Sequence, residues 1–311
     1  MKFHFHFMAR RKVFMAMSGI LLLLTVLSLI TRGLNFGTDF TGGVVIEFTP
    51  AHATTTADVH ALLAKYGQSG AQVQALTTNK VVSYEVTTKP LTSLEENTLL
   101  TDLQPTLGAP ISVSTVSAQI GRELRNHAIW AVIIATVLMT GYLTIRFQFG
   151  EAGRNSGIKF AVAAVVALLH DITLTVGLFS VFHLQVNSPF VAAVLTVYGY
   201  SMNDTIIVFD RIRERMKQRT REPLSDLIDV SVNQVLNRTV TTVATVLLAL
   251  LSVLILGGNS IRDLVIALIV GVSFGTYSSI FIASPIFLWL MGGGGTVQSR
   301  GTASARVREA S

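Results

Sequence analysis

The sequence has no cysteine among its 311 residues and little of the charge that a soluble domain carries. Without cysteine there is no disulfide staple and no thiolate metal site, although the compartment stays open. Charged residues make up 14% of the chain, against about 25% for an ordinary globular domain. That shortage excludes a disordered chain, a coiled coil and an ordinary cytosolic enzyme. The sequence also lacks a G-x-x-x-x-G-K-[ST] phosphate loop, an H-E-x-x-H zinc motif and a G-x-S-x-G elbow. These absences argue against an enzyme that hydrolyses ATP, and no cofactor or metal is implied.

Apolar sequence is abundant, at 50% of the residues. Six runs are long enough to span a bilayer, at about 13–31, 127–146, 159–182, 188–209, 238–257 and 264–290. The fold class is therefore a polytopic α-helical membrane protein. The first run follows Arg10, Arg11 and Lys12, and no clear small-residue cleavage site comes after it. It reads as a retained anchor rather than a cleaved signal peptide. His4 and His6 alternate with Phe ahead of this cluster, and a flexible terminus at the membrane surface is a better reading of them than a metal pair.

The formal net charge of +6 comes from short basic clusters between apolar runs, so it marks topology rather than a nucleic-acid surface. Arg146, Arg154 and Lys159, the run from Arg211 to Arg221, and Arg300, Arg306 and Arg308 fall on one side of the spans. The loop from His183 to Ser188 carries no Lys or Arg, and the next one carries only Arg262 beside Asp263. Positive-inside counting puts both termini, residues 1–12 and 291–311, in the cytoplasm. The tail opens with Gly292 to Gly295 and reads as disordered.

Residues 32–126 differ in kind. They are polar, Thr-rich and too long for a loop, so they form a domain outside the membrane between the first and second spans. A strand at Val44 to Phe48 precedes a helix over about 56–66, with Val59, Leu62 and Leu63 on its apolar side and a start at Thr56 and Asp58. Strands at 71–76 and 81–87 flank the turn at Thr78-Asn79. A second helix at about 91–104 carries Leu94, Leu99, Leu100 and Leu103, and a last strand covers 110–117. The βαββαβ order is the ferredoxin-like split α+β motif.

Carboxylates within spans are costly, at least about 2.5–3.5 kcal/mol at the bilayer centre, and are functional candidates for that reason. Asp171 follows His170 in the third span, with Thr175 one turn on. It reads equally as helix–helix glue and as a proton-titratable site. Asp204 lies one to two turns inside the cytoplasmic edge of the fourth span, with Ser201 on its face, and is weighted towards function. Asp210 sits at the membrane edge beside Arg211 and Arg213 and reads as an interfacial ion pair. Arg238 opens the fifth span, and Thr241, Thr242, Thr245 and Ser252 continue it as a polar stripe that should face protein or water. Antiparallel geometry brings Arg238 to the depth of Asp204, so the two could pair as part of a proton relay. Gly271, Gly275, Ser279 and Ala283 form a small-residue stripe for close helix packing, and Pro285 should kink the last span. Leu224, Leu227, Ile228 and Val232 suggest an amphipathic helix on the cytoplasmic face, within a segment of about 211–237.

Several motifs resemble one family. Phe36-Gly37-Thr38-Asp39-Phe40-Thr41-Gly42-Gly43 resembles the opening of the periplasmic domain in SecD and SecF proteins. The run Tyr200 to Glu214, including Asn203, Asp204, Asp210 and Arg211, resembles the fourth-span signature of SecF. His170-Asp171, Asn233-Gln234, Arg238-Thr239 and Gly257-Gly258 are similar to the same family, and Arg215 departs from it where Asn is common. The resemblance covers about residues 13–290. It implies a resistance-nodulation-division architecture in which a SecD-like subunit supplies the other half, in the bacterial inner membrane. It also implies use of the proton-motive force to assist export of preproteins through SecYEG, with YidC as a further candidate partner. Asp204 and Arg238 would form the proton pathway, and Asp171 would be a secondary member. Lipid would be the surrounding partner, with no nucleic acid. A small-molecule or lipid exporter of the same superfamily and a passive scaffold are the rival readings.

Overall fold

The computed structural model describes residues 5–50, 52, 54–78, 81–148, 154–218, 222–258 and 261–292. The tail beyond Gly292, the turn residues Asn79 and Lys80, Arg219 to Arg221 of the basic loop, and His4 lie outside the described residues. Along the chain run α1 (Arg11–Thr31), β1 (Asn35–Phe36), α2 (Thr38–Thr41), β2 (Gly43–Phe48), α3 (Thr56–Ala64) and β3 (Gln72–Thr78). Next come β4 (Val81–Thr88), α4 (Ser93–Leu107), β5 (Pro110–Val116), α5 (Ala118–Gln148), α6 (Arg154–Val181) and β6 (Gln185–Val186). The chain continues with α7 (Ser188–Lys217), α8 (Leu224–Leu256), α9 (Arg262–Ser278), a π-helical turn (Ser279–Ala283) and α10 (Ser284–Leu290).

Among the described residues six helical stretches are long and apolar enough to cross a membrane: Met8–Thr31, Ala118–Phe147, Ser156–Val181, Ser188–Lys217, Leu224–Leu256 and Arg262–Leu290. This is a multi-pass membrane protein. α9 packs along α7 because glycine lets the two backbones approach. A Cβ built on Gly271 would lie 2.2 Å from Val197 Cγ2, and one on Gly275 would lie 2.8 Å from Ser201 Cβ. Ser279 and Ala283 are buried on the same stripe, as the four-residue spacing anticipated. The last span is interrupted by the π-helical turn just ahead of Pro285, which has no N–H to offer the helical ladder.

One segment differs from the sequence expectation. The segment 211–237 is not a separate surface helix: its start completes α7 and its end opens the continuous α8. Leu224, Leu227, Ile228 and Val232 are buried in the main core. Helical periodicity marks an apolar stripe, and the same stripe serves a headgroup layer or a neighbouring helix.

Outside the bundle, β3-β4-β2-β5 form one sheet in that order, with every neighbouring pair antiparallel. β2 alternates, burying Val44, Ile46 and Phe48. α3 and α4 cover that face with Val59, Leu63, Leu99, Leu103 and Leu107. Each helix starts with a capping box, Thr55 with Asp58 and Thr92 with Glu95. The first cap is thus Thr55, one residue before the expected start. Hydrogen bonds from the Thr55 hydroxyl and amide hold the Asp58 carboxyl below its ordinary range. Leu94 was expected on the buried side of the second helix but is 77% exposed, because the helix begins at Ser93 and turns its first residues outward.

The Gly-Gly motif joins this domain to the bundle. Gly42 has φ +75° and a Cβ there would lie 2.8 Å from Ala118 Cα, at the start of α5. Gly43 has φ +144° and a Cβ there would lie 2.3 Å from the Thr88 carbonyl oxygen. Only glycine tolerates both the conformation and the contact. Gly37 donates its amide to the Val186 carbonyl at 2.9 Å, next to the parallel β1–β6 pair. Asp39 accepts from the Ser188 amide at 2.8 Å, placing a carboxylate at the first turn of α7, where the helix dipole favours it. Phe40 is buried and meets the Phe36 ring edge-on at 6.2 Å.

Candidate functional site

α6, α7 and α9 pack side by side, and their small and apolar residues leave two carboxylates with few ways to be satisfied. Asp171 is 0% exposed and Asp204 is 1% exposed. A buried carboxylate requires donors aimed at it. For Asp171 these are Ser201 Oγ at 2.6 Å and Ser278 Oγ at 2.7 Å to Oδ2, with His170 Nδ1 2.9 Å from Oδ1. One carboxyl group thereby ties α6 to α7 and α9. Thr175 donates to the Asp171 backbone carbonyl at 2.8 Å and does not touch the carboxyl group. Among the described residues His170 Nε2 is buried without a partner.

Asp204 is served differently. Thr276 Oγ1 of α9 donates to its Oδ2 at 3.0 Å, and Thr276 also bonds the Val272 carbonyl at 3.1 Å. Ser201, expected beside Asp204, turns to Asp171 instead. Thr205 bonds the Ser279 hydroxyl at 2.8 Å, a further tie between α7 and the π-helical turn. Among the described residues no ion pair joins Asp204 to Arg238. Arg238 is close enough for a through-space electrostatic interaction, but it is exposed on α8.

That exposed face is polar. Arg238, Thr241 and Thr245 of α8 and Asn203 of α7 are all exposed. Thr242 and Thr245 back-bond to the carbonyls of Arg238 and Thr242, at 2.9 and 2.8 Å. The polar face therefore lies at the surface of this chain.

Asp210 is half-buried and pairs with Arg146 of α5 at 2.7 Å, not with its sequence neighbours. Residues adjacent in a helix point to different faces. Arg211 bonds Gln234 of α8 at 2.6 Å through Nε and pairs with Glu214. Arg215 pairs with Glu222 at 2.9 Å. These contacts staple one end of the bundle and leave the carboxylate clusters untouched. No group of three or more His, Cys, Asp or Glu is placed to hold a metal among the described residues. Thr276 and Ser278 were not legible as site residues, since a hydroxyl in an apolar span reads first as small-residue packing.

The family description "Protein export membrane protein SecD/SecF, C-terminal" matches residues 97–293, and "SecD/SecF GG Motif" matches residues 27–51. The protein translocase subunit SecF of Sebaldella termitidis is 38% identical over 287 residues, 90% of this chain and 89% of that protein. The protein translocase subunit SecDF of Bacillus subtilis is 36% identical over 91% of this chain but only 37% of its own length. The crystal structure of SecDF, a translocon-associated membrane protein from Thermus thermophilus, superposes with a TM-score of 0.82 at 32% identity. It covers 93% of this chain and 39% of that one. On the breadth of these matches, the chain belongs to the SecF family.

Proposed function

We propose that this chain is one half of a SecD–SecF-type machine that uses the proton-motive force to assist preprotein export through SecYEG. The observation that carries this reading is a buried carboxylate, Asp204, behind an exposed polar face that includes Asn203, Arg238 and Thr241. A polar face in a membrane span is costly against lipid, so a second helical half covers it. The fused SecDF relatives, which match this chain over less than two fifths of their length, supply the precedent for a SecD-like partner. Asp204 is the proton-carrying group, Thr276 its hydrogen-bond donor, and Arg238 the fixed cation that the moving helices bring towards it or away. Asp171, locked by three donors, is a structural tie next to this path.

In this reading the protein sits in the bacterial inner membrane with both termini in the cytoplasm, and residues 32–126 lie in the periplasm. The sheet order and the two covering helices support a ferredoxin-like domain there, which engages emerging preproteins. YidC is a further candidate partner. The chain hydrolyses no ATP, and the gradient supplies the work. A moved elementary charge gains about 2.3 kcal/mol per 100 mV. Affinity purification from detergent-solubilised membranes tests the assembly: a SecD-like protein and translocon subunits should co-purify. Vesicles depleted of the chain should lose gradient-stimulated export, and recovery of a fully active lone chain would contradict the half-machine reading.

A further inference from the structure

A second feature adjoins the Asp204 site and shares Thr276 of α9 with it. A cleft of about 460 Å³ opens between α8 and the chain's N-terminal stretch, with α9 as its floor. Its size falls within the range of about 300–1,000 Å³ of small-molecule sites. Phe5 and Phe7 close one end, Val243 and Leu247 form one wall, and Ile280 and Phe281 the floor. The closing segment is fastened rather than loose. Asn233 of α8 accepts from the Phe5 amide at 3.0 Å and donates to the Phe5 carbonyl at 2.8 Å. Asp229 accepts from the Met8 amide at 2.9 Å. The Phe7 ring meets Phe281 edge-on at 5.7 Å, and Phe14 of α1 lies against Phe281 at 3.9 Å.

The hydroxyls in the lining are already satisfied inside the protein. Ser273 donates to the Ile269 carbonyl at 2.7 Å, Tyr277 to the Phe14 carbonyl at 2.9 Å, and Thr276 to Asp204. Each of these hydroxyls spends its proton inside the protein, so the cleft presents mainly hydrocarbon from Leu236, Val240, Val243, Leu247 and Ile280. It offers these contacts within helices long and apolar enough to cross a membrane. Arg10, whose amide bonds the Phe7 carbonyl at 3.2 Å, and Lys12 are both exposed on the segment that follows this closure. A hydrocarbon slot ending at a cationic rim is complementary to an anionic amphiphile.

We propose that this cleft binds one acyl chain of an anionic phospholipid, held under the Phe5–Phe7 closure, with its headgroup at Arg10 and Lys12. Bound there, the chain would also seal the Thr276 side of Asp204 against water from the lipid face. The site stands apart from the proton reading, because its occupancy is measured without any export assay.

The test uses the full chain with its co-purifying subunits, reconstituted in vesicles containing phosphatidylglycerol with a photoreactive diazirine acyl chain. After irradiation, adducts are mapped by mass spectrometry. They should concentrate on Val243, Leu247 and Ile280, and excess unlabelled phosphatidylglycerol should suppress them. The same diazirine chain on phosphatidylcholine should give a several-fold lower yield. Val243→Trp, which fills the slot, should reduce cleft adducts several-fold, and Leu138→Trp on the exposed face of α5 should not. The wild-type adduct map decides the matter even if Val243→Trp fails to fold. Adducts spread evenly over exposed Leu23, Leu138 and Ile255, or equal yields from the two lipids, would overturn the proposal. So would a cleft labelled only after deletion of residues 1–4, which would put the chain's own amino terminus there.

Discussion

Thr276 Oγ1 of α9 lies 3.0 Å from Asp204 Oδ2 of α7, so the carboxylate is anchored to a neighbouring span by a single hydroxyl. A hydrogen bond to a charged group contributes about 1.5–3 kcal/mol, and it is strongest when the acceptor is ionised. Protonation of Asp204 weakens the tie between α7 and α9, and loss of the proton restores it. Thr276→Val should therefore lower gradient-dependent export by roughly ten-fold or more, the rate equivalent of that energy. Thr276→Ser should keep most of it. Initial export rates in vesicles carrying each variant, at matched protein levels, check this.

Asp171 has three donors, and its loss should read out as instability. Leaving a buried donor without its acceptor costs about 1–3 kcal/mol. Asp171→Ala leaves the Ser201 and Ser278 hydroxyls without their acceptor, so the bundle should unfold at lower temperature and accumulate poorly. Ser278→Ala should do the same to a smaller degree. Thermal unfolding in detergent, followed by fluorescence, checks both. An Asp171→Ala protein of unaltered stability that still loses gradient response would make Asp171 a member of the proton path.

Glycines should rank by what surrounds them, the junction residue Gly43 against Gly141 within α5. Gly43→Ala forces a Cβ to 2.3 Å from the Thr88 oxygen at φ +144°, so β2 and β4 must part. Backbone strain of this kind costs about 1–3 kcal/mol before the clash is counted. Gly141→Ala meets nothing within 4 Å and should be neutral. Limited proteolysis of the sheet domain in the full chain should cut Gly43→Ala rapidly and leave Gly141→Ala as resistant as wild type.

Glu85 of β4 stands directly across from Glu47 of β2. Burial first, then the Glu47 carboxylate and Asp263, push the Glu85 carboxyl above its ordinary value. The folded domain therefore binds a proton here more readily than the unfolded chain does. The resulting penalty is present at neutral pH and is relieved as pH falls through the raised value. Glu85→Gln should remove the facing charge, stabilise the sheet by about 0.2–1 kcal/mol at pH 7, and flatten the pH dependence. Hydrogen exchange of β2 and β4 amides in the full chain, corrected for intrinsic rates, checks the sign.

Six apolar runs and a polar insert gave the number of spans and the βαββαβ order, since burial in lipid and period-two alternation leave direct marks in sequence. The stripe Gly271, Gly275, Ser279 and Ala283 likewise pointed to the close packing of α7 and α9. What sequence could not supply was partner choice between helices. Asp210 sits next to two arginines in the chain yet pairs with Arg146, and Ser201 sits one turn from Asp204 yet serves Asp171. Those choices depend on the rotation of each helix about its axis, which packing sets. Asp204 and Arg238 likewise make no direct ion pair: Arg238 lies within through-space reach of Asp204 from the exposed side of α8. The continuous α8 was missed because its first turns bury leucines against protein where a surface helix would bury them in headgroups.

In the proposed function, protonation of Asp204 couples the gradient to export. The most direct measurement is export of a slow-translocating preprotein into membrane vesicles, with and without an imposed proton gradient, comparing wild type with Asp204→Asn. The asparagine keeps the shape and can still accept from Thr276, but it cannot titrate. Asp204→Asn vesicles should assemble with the SecD-like partner at normal levels and show no stimulation by the gradient. Arg238→Met should behave likewise, and Arg238→Lys should retain part of the response. Asp204→Asn vesicles that respond to the gradient as fully as wild type would contradict the mechanism and make Asp204 a structural tie.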